Sequence, residues 1–387
     1  MNDFSFFNAF RSLISVILIN TIIIYSRINK KKIIFFYHPR KLAVGIHTFY
    51  VEDLLEEFRE SSVIIYGYND VKNFGKNYFF IKGSYLKLLL GIDIFMSANM
   101  SDVVVANSKK VYLNHHIYDS PLVNSEKEKT LCRRFSKYDI VFLPSQDLIK
   151  LFNEMFARYS SFADIKKPTL IEIGYPKFDF LEKKINNIKS LRNCILISPT
   201  NIYFYSDPKF SLLNELDKLI TELIDNTEFN IIFRPHPLNR RDPKILKIKN
   251  KFNNSSKFIY DASEDYSLTF SKSICFITDQ SDTAYMFAFL TKHPVVFYSN
   301  KNLEYLINSE ESEIKKYGYC NLKYFKNREK VGAIISQAEF ASEKINKIKN
   351  NLKKYELSIS ELIKEIRYLG KSKKKFIEEI NKLLFNN

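Results

Sequence analysis

The sequence predicts an α/β protein with two domains, each built on a parallel β-sheet flanked by helices. Short apolar runs rich in β-branched residues alternate with segments of helical periodicity, so a β-α-β pattern recurs along the chain. The length of 387 residues is enough for two domains with separate cores. The apolar content of 45% and the aromatic content of 15% are typical of a folded globular chain.

The pattern divides the chain into four parts. Residues 1–31 form an apolar helix, 32–185 an N-terminal Rossmann-like domain, 186–330 a C-terminal Rossmann-like domain and 331–387 a Lys-rich helical extension without a strand signal. The polar, Lys- and Asn-rich segment 180–192 is the expected linker between the two domains.

The expected strands in the first domain are 33–37, 62–66, 102–106, 111–113, 138–143 and 170–173, with helices over 51–59 and 147–158. The expected strands in the second domain are 194–197, 229–233, 273–278 and 294–298, with helices over 211–226 and 283–292. Consecutive strands separated by helices predict parallel pairing in both domains.

A positively charged segment follows one strand of the second domain. The run 229–233 leads directly into Arg234-Pro235-His236-Pro237. Each proline biases the preceding residue toward an extended backbone, so Arg234 and His236 are both expected to be extended. Side chains two positions apart on an extended chain point to the same side. A guanidinium and an imidazole that leave a strand end together suit an anion such as a phosphate.

A polar turn connects the next strand to a helix. The strand 273–278 is followed by the turn 279–282, and helical spacing begins at Thr283. Ser281 or Asp282 is the expected N-cap of that helix. Anionic ligands bind at helix N-termini along the carboxyl edge of parallel sheets. Two independent signals for an anion site therefore fall within one predicted sheet.

The net charge of +16 implies an anionic partner: nucleic acid, an anionic membrane face or a phosphorylated substrate. Nucleic acid ranks last because the chain lacks a basic-aromatic recognition motif. No metal or other cofactor is expected, since there is no glycine-rich phosphate loop and no cluster with metal-ligand spacing. The widely separated cysteines indicate a reducing cytosol; they are Cys132, Cys194, Cys275 and Cys320.

The first 31 residues combine apolar runs with basic residues. Runs at 4–10 and 13–25 are separated by Arg11 and followed by lysines at 30–32. The unbroken apolar stretch is shorter than the about 20 residues that a membrane span needs, and the features of a signal peptide are missing. Three interpretations stay open: a buried helix, an interfacial helix on the inner leaflet, and a span. The basic residues favour contact with anionic lipid.

Several pieces, taken in order, resemble a known family, the CDP-glycerol glycerophosphotransferases, which are teichoic-acid polymerase-like enzymes of bacterial envelope and capsule synthesis. The pieces are His115-His116 after the strand 111–113, Gly174-Tyr175-Pro176-Lys177-Phe178-Asp179, Ser198-Pro199-Thr200, Arg234-Pro235-His236-Pro237, Asp279-Gln280-Ser281-Asp282 and the segment 293–298. The resemblance covers roughly residues 100 to 300 as an ordered set of motifs. It implies a GT-B fold, in which two Rossmann-like domains face a cleft, and the two-domain pattern of the chain suggests the same.

The resemblance also implies a reaction. An acceptor hydroxyl attacks the distal phosphorus of CDP-glycerol, and CMP leaves. The hydroxyl needs a base with a pKa near the working pH, and His115 matches the family's catalytic histidine. Cations and helix-end amides must stabilise the leaving phosphate. The implied catalytic residues are His115 and His236; the donor-binding residues are Arg234, His236, Asp279, Ser281, Asp282, Thr283, Pro199 and Thr200; the acceptor or cleft residues are His116, Asp119, Ser120, Gly174 and Lys177.

Three positions depart from the family pattern. His116 stands where the family commonly has glycine, so either of the tandem histidines could be the acting one, and His116 could equally be a surface or capping residue. Asp282 stands where the family tends to have a second serine, and Met286 where it has an acidic residue. A carboxylate at an N-cap favours the helix but repels a phosphate. CDP-glycerol, CDP-ribitol, another CDP-alcohol and a nucleotide sugar therefore stay open as donors.

Three classes of function follow. The first is a transferase that builds a capsule or teichoic-acid-like polymer from a CDP-activated donor on a polysaccharide or lipid-linked acceptor. The second is a GT-B glycosyltransferase that uses a nucleotide sugar in capsule or lipooligosaccharide synthesis. The third is a non-catalytic nucleic-acid-binding protein. We expect the first, as a cytoplasmic enzyme that lies peripherally on the inner face of the cell membrane.

Overall fold

The protein was analysed as a computed structural model, which describes residues 2–39, 51–69, 77–114, 116–118, 125–202, 211–309 and 322–385. The chain forms two compact units. The first unit comprises Met1–His115, Glu126–Phe180 and Arg367–Asn387, and the second comprises His116–Ser125 and Leu181–Ile366. Within the described residues each unit has one parallel β-sheet with helices, which confirms the predicted α/β class.

The strands are β1 (Lys32–His38), β2 (Ser62–Tyr68), β3 (Tyr78–Phe80), β4 (Ile94–Ser97), β5 (Lys109–Leu113), β6 (Ile140–Leu143), β7 (Thr169–Glu172), β8 (Cys194–Ile197), β9 (Asn230–Phe233), β10 (Phe258–Tyr260), β11 (Ser273–Thr278), β12 (Val295–Tyr298) and β13 (Gly332–Ile335). The helices are α1 (Asn2–Ile28), α2 (Ser125–Phe135), α3 (Gln146–Arg158), α4 (Pro176–Asn186), α5 (Leu216–Asn226), α6 (Pro243–Phe252), α7 (Ser267–Lys272), α8 (Thr283–Thr291), α9 (Lys301–Asn308), α10 (Lys323–Lys326), α11 (Arg328–Val331), α12 (Ala341–Lys349), α13 (Leu352–Lys364) and α14 (Ser372–Phe385).

The sheet of the first unit has the strand order β3-β2-β1-β4-β5-β6-β7. Its first strand in the chain, β1, lies inside the sheet, and the order reverses between β1 and β4. This is the doubly wound arrangement, in which ligands bind at the carboxyl edge beside the reversal. Residues Ile33–Tyr37 of β1 are all buried, as expected for a strand that helices cover on both faces.

The sheet of the second unit has the order β10-β9-β8-β11-β12-β13, with the reversal between β8 and β11. Every residue of β8, β11 and β12 is buried, so the apolar runs in the sequence correspond to strands covered on both faces. The loops after β8, β9 and β11 therefore emerge side by side at one edge, because parallel strands share their direction.

Three predicted elements differ in the structure. Residues 102–106 are not a strand: Ser101 Oγ accepts a hydrogen bond from Val103 N at 3.3 Å, which bends the chain there, and the neighbouring strand is β4. The expected linker 180–192 begins inside α4, and the division between the units falls between Phe180 and Leu181. The expected helical extension contains a strand, β13, which pairs with β12.

The final helix, α14, belongs to the first unit. Phe376, Ile380 and Leu384 on one face of α14 are buried in the same apolar cluster as residues of β1, β4 and β5. The ring of Phe376 lies 5.8 Å from that of Phe142 and 6.4 Å from that of Phe58. A segment distant in sequence thus completes the core of the first unit.

The first helix, α1, runs continuously over 27 residues, so Arg11 does not interrupt it. Its segment Phe7–Ile28 is long and apolar enough to cross a membrane, by length and composition alone, which corrects the estimate that the apolar stretch is too short. Val16, Ile19 and Ile23 are buried against the first unit.

Candidate functional site

The candidate site lies at the carboxyl edge of the second sheet, where the strand order reverses. The loop after β8 contains Pro199 and Thr200, and the loop after β11 contains the turn 279–282. Thr278 Oγ1 donates to the carbonyl oxygen of Ser198 at 2.7 Å, which ties the two loops together directly beyond the strands. The predicted donor-binding segments after β8 and β11 are therefore neighbours.

The buried side chain of Asp279 holds these loops through hydrogen bonds to the backbone. Its carboxylate is 2% exposed and accepts hydrogen bonds from Thr200 N at 2.8 Å and from Leu212 N at 3.1 Å. Burial raises the pKa of Asp279 by more than the backbone hydrogen bonds lower it. Asp279 thus holds two backbone segments in place, and its role in donor binding stays a prediction. Pro199 is buried and Thr200 half-buried beside it.

The N-terminus of α8 follows the same turn. Ser281 Oγ accepts a hydrogen bond from Thr283 N at 3.3 Å, so Ser281 supplies the side-chain oxygen at the start of the helix. Asp282 makes no capping hydrogen bond with its side chain. Its carboxylate instead contacts the imidazole Nδ1 of His116, and both residues are half-buried. Met286, one turn further on, is buried.

The side chain of Arg234 is bound by internal partners of the second unit. Its guanidinium is buried and donates to the carboxylate of Asp261, to Ser263 Oγ at 3.0 Å and to the carbonyl oxygen of Ser263 at 2.8 Å. Burial raises the pKa of Asp261, but hydrogen bonds from Ser263 and Thr269 and the charge of Arg234 outweigh it, so the pKa lies below its ordinary value. This corrects the expectation of an open guanidinium next to His236.

His236 remains at the edge of the sheet and is half-buried. Its Nδ1 accepts a hydrogen bond from Leu238 N at 3.3 Å, at the start of a short turn that begins with Pro237. A neutral imidazole that accepts at Nδ1 carries its proton on Nε2. In this tautomer Nε2 is the donor nitrogen of His236.

Arg240 is a second cation at this edge that the sequence analysis did not single out. It is half-buried, and its Nη2 donates to the carbonyl oxygen of Ser263 at 2.9 Å, the same oxygen that Arg234 contacts. Burial and the neighbouring charge of Arg234 lower the pKa of Arg240 from its ordinary value. The spacing of Arg240 four positions after His236, in a tight turn, is the signal that could have identified it.

The segment 116–118 belongs to the second unit and lies on α8. The ring of Tyr118 is 4.4 Å from that of Tyr285 and 5.5 Å from that of Phe289, and its hydroxyl accepts from Asn327 at 3.4 Å. The predicted site residues His115, Asp119 and Ser120 lie outside the described residues. Of the tandem histidines, His116 is thus engaged with Asp282.

The motif Gly174–Asp179 joins α4 to the C-terminal helix of the first unit. Gly174 is buried with φ +77°, and a Cβ there would lie 2.4 Å from Ser372 Oγ and 2.8 Å from the carbonyl oxygen of Tyr368. This corrects the expectation that Gly174 lines an open cleft. Lys177, predicted with it, is half-buried in the first turn of α4.

A polar pair at the carboxyl edge of the first sheet was missed by the sequence analysis. His38 ends β1 and Asn99 follows β4, which places them on either side of the strand-order reversal. The His38 Nε2 atom lies 3.4 Å from Asn99 Nδ2, and both residues are buried. The signal was available: His38 and Pro39 follow an apolar strand just as His236 and Pro237 follow the strand that Arg234 extends.

Two doubly wound, Rossmann-like units with polar carboxyl edges define an α/β protein of the GT-B-like class. Solved structures with this fold include the wall teichoic acid polymerase TagF, with a TM-score of 0.61 and 16% identity over 92% of this chain and 88% of that one. They also include S. aureus MnaA in a co-structure with UDP, with a TM-score of 0.59 and 12% identity over 92% of this chain and 97% of that one. At these low identities, the structural similarities show only that the folds are alike.

The family follows from the sequence itself. The family model for CDP-glycerol:poly(glycerophosphate) glycerophosphotransferase matches residues 85–356. The chain therefore belongs to this family of transferases, which confirms the resemblance of its motifs. It is similar to the teichoic acid poly(glycerol phosphate) polymerase of Bacillus spizizenii strain W23, with 26% identity over 272 residues. That alignment covers 65% of this chain and 61% of the relative, so the chain matches less than two thirds of the relative's length.

Proposed function

We propose that this protein transfers glycerol phosphate from CDP-glycerol to a hydroxyl group of a teichoic-acid-like or capsular polymer and releases CMP. The acceptor oxygen forms a bond to the phosphorus that carries glycerol. The bond from that phosphorus to the bridging oxygen breaks, its electron pair leaves with CMP, and the hydroxyl proton passes to a base. Family membership supports CDP-glycerol as the donor. A TagF variant soaked with CDPG is among the solved structures that share the fold.

The charge distribution at the carboxyl edge of the second sheet is the observation that supports the donor site there. Its carboxylates are engaged: Asp261 with Arg234, Asp279 with backbone amides, and Asp282 with His116. The imidazole of His236 and the guanidinium of Arg240 lie at the same edge. An anionic pyrophosphate is favoured where cations and helix-end amides are fixed in advance.

His115 is our proposed base. An imidazole titrates near neutral pH and can take a proton from a hydroxyl group at working pH. His116 is a weaker candidate because its Nδ1 contacts the carboxylate of Asp282. In this proposal His236 donates to the phosphate of the leaving CMP.

CMP release tests the proposal. Purified full-length protein is incubated with CDP-glycerol and a lipid-linked or polymeric acceptor, and CMP is measured over time. CDP-ribitol and UDP-sugars are run in parallel, because the second function class, a glycosyltransferase, predicts turnover of a nucleotide sugar. Release of CMP from CDP-glycerol that depends on the acceptor supports the proposal; turnover of UDP-sugars alone would reject it.

Two histidine variants test the site. We expect His115→Gln to lower kcat by about 10²–10⁴, and His236→Gln to lower kcat/KM by about 10². The matched control is His293→Gln, because His293 precedes β12 and so lies at the opposite, amino end of the same sheet. Unchanged turnover in both His115→Gln and His236→Gln would show that the site is assigned wrongly.

We also propose that α1 binds the surface of an anionic membrane. The outward face of α1 carries large apolar side chains that are 41–74% exposed; they are Phe7, Phe10, Leu13, Ile14, Ile17, Leu18, Ile24, Tyr25 and Ile28. The inward face holds Asn8, Ser12 and Ser15 among its buried residues. A helix on a water-facing surface normally has the reverse distribution.

The surroundings of α1 extend this surface. Asn20 Nδ2 donates to the carbonyl oxygen of Leu88 at 3.1 Å, and Asn20 Oδ1 accepts from Leu90 N at 3.2 Å. Leu88 and Leu90 are therefore fixed beside the helix, and they are 43% and 69% exposed. Exposed Lys30 follows α1, and Lys87 precedes Leu88. Apolar side chains flanked by lysines match a bilayer surface that contains anionic lipid.

Vesicle sedimentation tests this contact. We expect the protein to sediment with vesicles that contain phosphatidylglycerol, and the variant Ile17→Asp/Ile24→Asp to lose at least about tenfold in partitioning. The control is Leu191→Asp/Leu357→Asp, which changes two leucines that are 79% and 59% exposed in the second unit. Equal binding of both double variants would exclude α1 as the membrane contact.

A further inference from the structure

The chain passes from the first unit to the second after β5, between residues 115 and 116. Two side chains of the segment 116–118 contact α8 or the residue before it. The imidazole of His116 contacts the carboxylate of Asp282, the residue that precedes α8. The ring of Tyr118 packs against that of Tyr285 with the planes tilted by 55°, and the Tyr118 hydroxyl accepts from Asn327 at 3.4 Å. All of these contacts lie within the second unit. The start of α8 is therefore covered by a segment that is fixed through one polar and one aromatic contact.

The carboxylate of Asp282 has two opposite electrostatic effects at this position. It stabilises α8, because a negative charge at a helix N-terminus interacts favourably with the helix dipole. It also lies at the edge where the proposed donor presents its pyrophosphate, and like charges at short range repel. The contact with the His116 imidazole reduces this conflict, because a hydrogen bond from Nδ1 occupies the carboxylate.

We infer that His116 and Asp282 act as one hydrogen-bonded clasp, which fixes the segment 116–118 on α8 and permits an anionic donor to bind beside a carboxylate. His116 is then a positioning residue, and its imidazole is not the base. The inference rests on the proposed donor site at this edge. It predicts that the effects of the two substitutions on donor binding are coupled, because removing the carboxylate removes the need for the imidazole.

A double-mutant cycle tests the clasp with four proteins: the unmodified chain, His116→Gly, Asp282→Ser and the double variant. We expect His116→Gly to raise the KM for CDP-glycerol about tenfold with kcat changed less than about threefold, because the loss is in donor binding. Asp282→Ser should lower that KM by about threefold or less, since it removes a repelling charge. The double variant should have a KM about tenfold below that of His116→Gly. Independent effects would give a difference of only about threefold or less, and the excess is the coupling that defines the clasp.

Controls separate a charge effect from a loss of folding. Asp225→Ser removes one exposed negative charge from α5 in the same unit and should change the KM by less than about twofold. The melting temperature of the four proteins is measured without ligand. Each single substitution should lower Tm. The loss of Tm in the double variant should be smaller than the sum of the two single losses.

The outcomes distinguish this inference from the proposed function. If the unmodified protein neither binds CMP nor turns over CDP-glycerol, the proposed function fails, while the Tm cycle still decides whether the pair is coupled. Additive Tm losses overturn the clasp. Coupled Tm losses with independent effects on KM overturn its role in donor binding and leave the pair a purely structural contact.

Discussion

Arg234, Asp279 and His236 all follow strands of the second sheet, and burial separates their roles. A buried ion is retained in a protein only when it is paired or fully hydrogen-bonded. Arg234 meets this requirement through Asp261 and Ser263, and Asp279 through the amides of Thr200 and Leu212. His236 is only half-buried, and its Nδ1 accepts a hydrogen bond from Leu238 N, so it stays at the edge of the sheet.

Arg234 is predicted to matter chiefly for stability. Arg234→Ala leaves the partly buried carboxylate of Asp261 without its cation, and we expect a loss of about 3–5 kcal/mol in the free energy of unfolding. Arg234→Lys should recover only part of this loss, because lysine lacks the planar fork. The control is Arg241→Ala at an exposed position, which should change the free energy of unfolding by no more than about 0.5 kcal/mol. Urea unfolding measures all three; equal stability of Arg234→Ala and Arg241→Ala would refute the structural role.

Two aspartates of the second unit, the partly buried Asp261 and the buried Asp279, should respond to pH in opposite directions. The pKa of Asp261 is lowered from 3.8, so its contribution to stability is present above that value and is lost as the pH falls through the folded-state pKa. The pKa of Asp279 is raised from 3.8, so its contribution is greatest below that value and is lost as the pH rises through the folded-state pKa.

The corresponding asparagine variants make this measurable. Between about pH 3 and about pH 7, the stability cost of Asp261→Asn should grow with pH, and that of Asp279→Asn should shrink, because asparagine does not titrate. Urea midpoints of the unmodified protein and both variants across this range provide the measurement. Parallel trends for the two variants would contradict the assigned pKa directions.

At the scale of elements, the motif Gly174–Asp179 explains how α14 joins the first unit. The positive φ of Gly174 lets the chain pass close to Tyr368 and Ser372, and Tyr175 N donates to Ser372 Oγ at 2.7 Å. The carboxylate of Asp179 accepts from Gly370 N at 2.9 Å and from Lys373 N at 3.1 Å. One short motif therefore satisfies backbone amides at the start of α14 that no helical carbonyl can reach.

Gly174→Ala should weaken this junction. The left-handed backbone costs a non-glycine residue about 1–2 kcal/mol, and the overlap of Cβ with Tyr368 and Ser372 adds about 1–3 kcal/mol. Gly83→Ala is the matched control, because a Cβ there meets only Tyr37 Oη at 3.5 Å. Thermal unfolding should show a clearly lower Tm for Gly174→Ala than for Gly83→Ala. A Tm within error of the control would mean that the close approach does not constrain this position.

At the scale of the whole molecule, each unit has its own apolar core. The core of the first unit includes buried residues of β1, β4, β5 and α14, and the core of the second includes buried residues of β8, β9, β11, α5 and α12. Burial of apolar surface is the dominant stabilising term in folding, so each core supports its own sheet. A defect in one core should therefore affect that unit first.

Phe376→Ala tests the contribution of α14 to the first core. Removing this fully buried ring should cost about 3–5 kcal/mol. Hydrogen exchange should show faster exchange of the amides in β1, β4 and β5, with β8, β9 and β11 unchanged. The control Leu357→Ala alters a leucine that is 59% exposed on α13 and should leave both sheets protected. Equal loosening of both sheets by Phe376→Ala would contradict independent cores.

Strands and helices that bury a continuous apolar run were predictable. The runs of β1, β8, β9, β11 and β12 were found from the sequence because a strand covered on both faces must be apolar throughout. Short strands such as β3, β10 and β13 carry too few residues for a local pattern and form only because a neighbouring strand pairs with them. The run 102–106 has strand-like residues, but Ser101 bends the chain before it.

The amino-acid sequence by itself determined the α/β class, the two-domain organisation, the family and the order of the polar motifs, because these depend on local periodicity and on residue types at fixed spacing. Only the tertiary structure decided what each polar residue does. Arg234 and Asp279 hold neighbouring backbone segments through buried hydrogen bonds. Gly174 packs closely against the residues before α14, and His116 contacts Asp282. The physical reason is that the free energy of a charged or polar group depends on its burial and on its partners, and those partners come from segments far away in the chain.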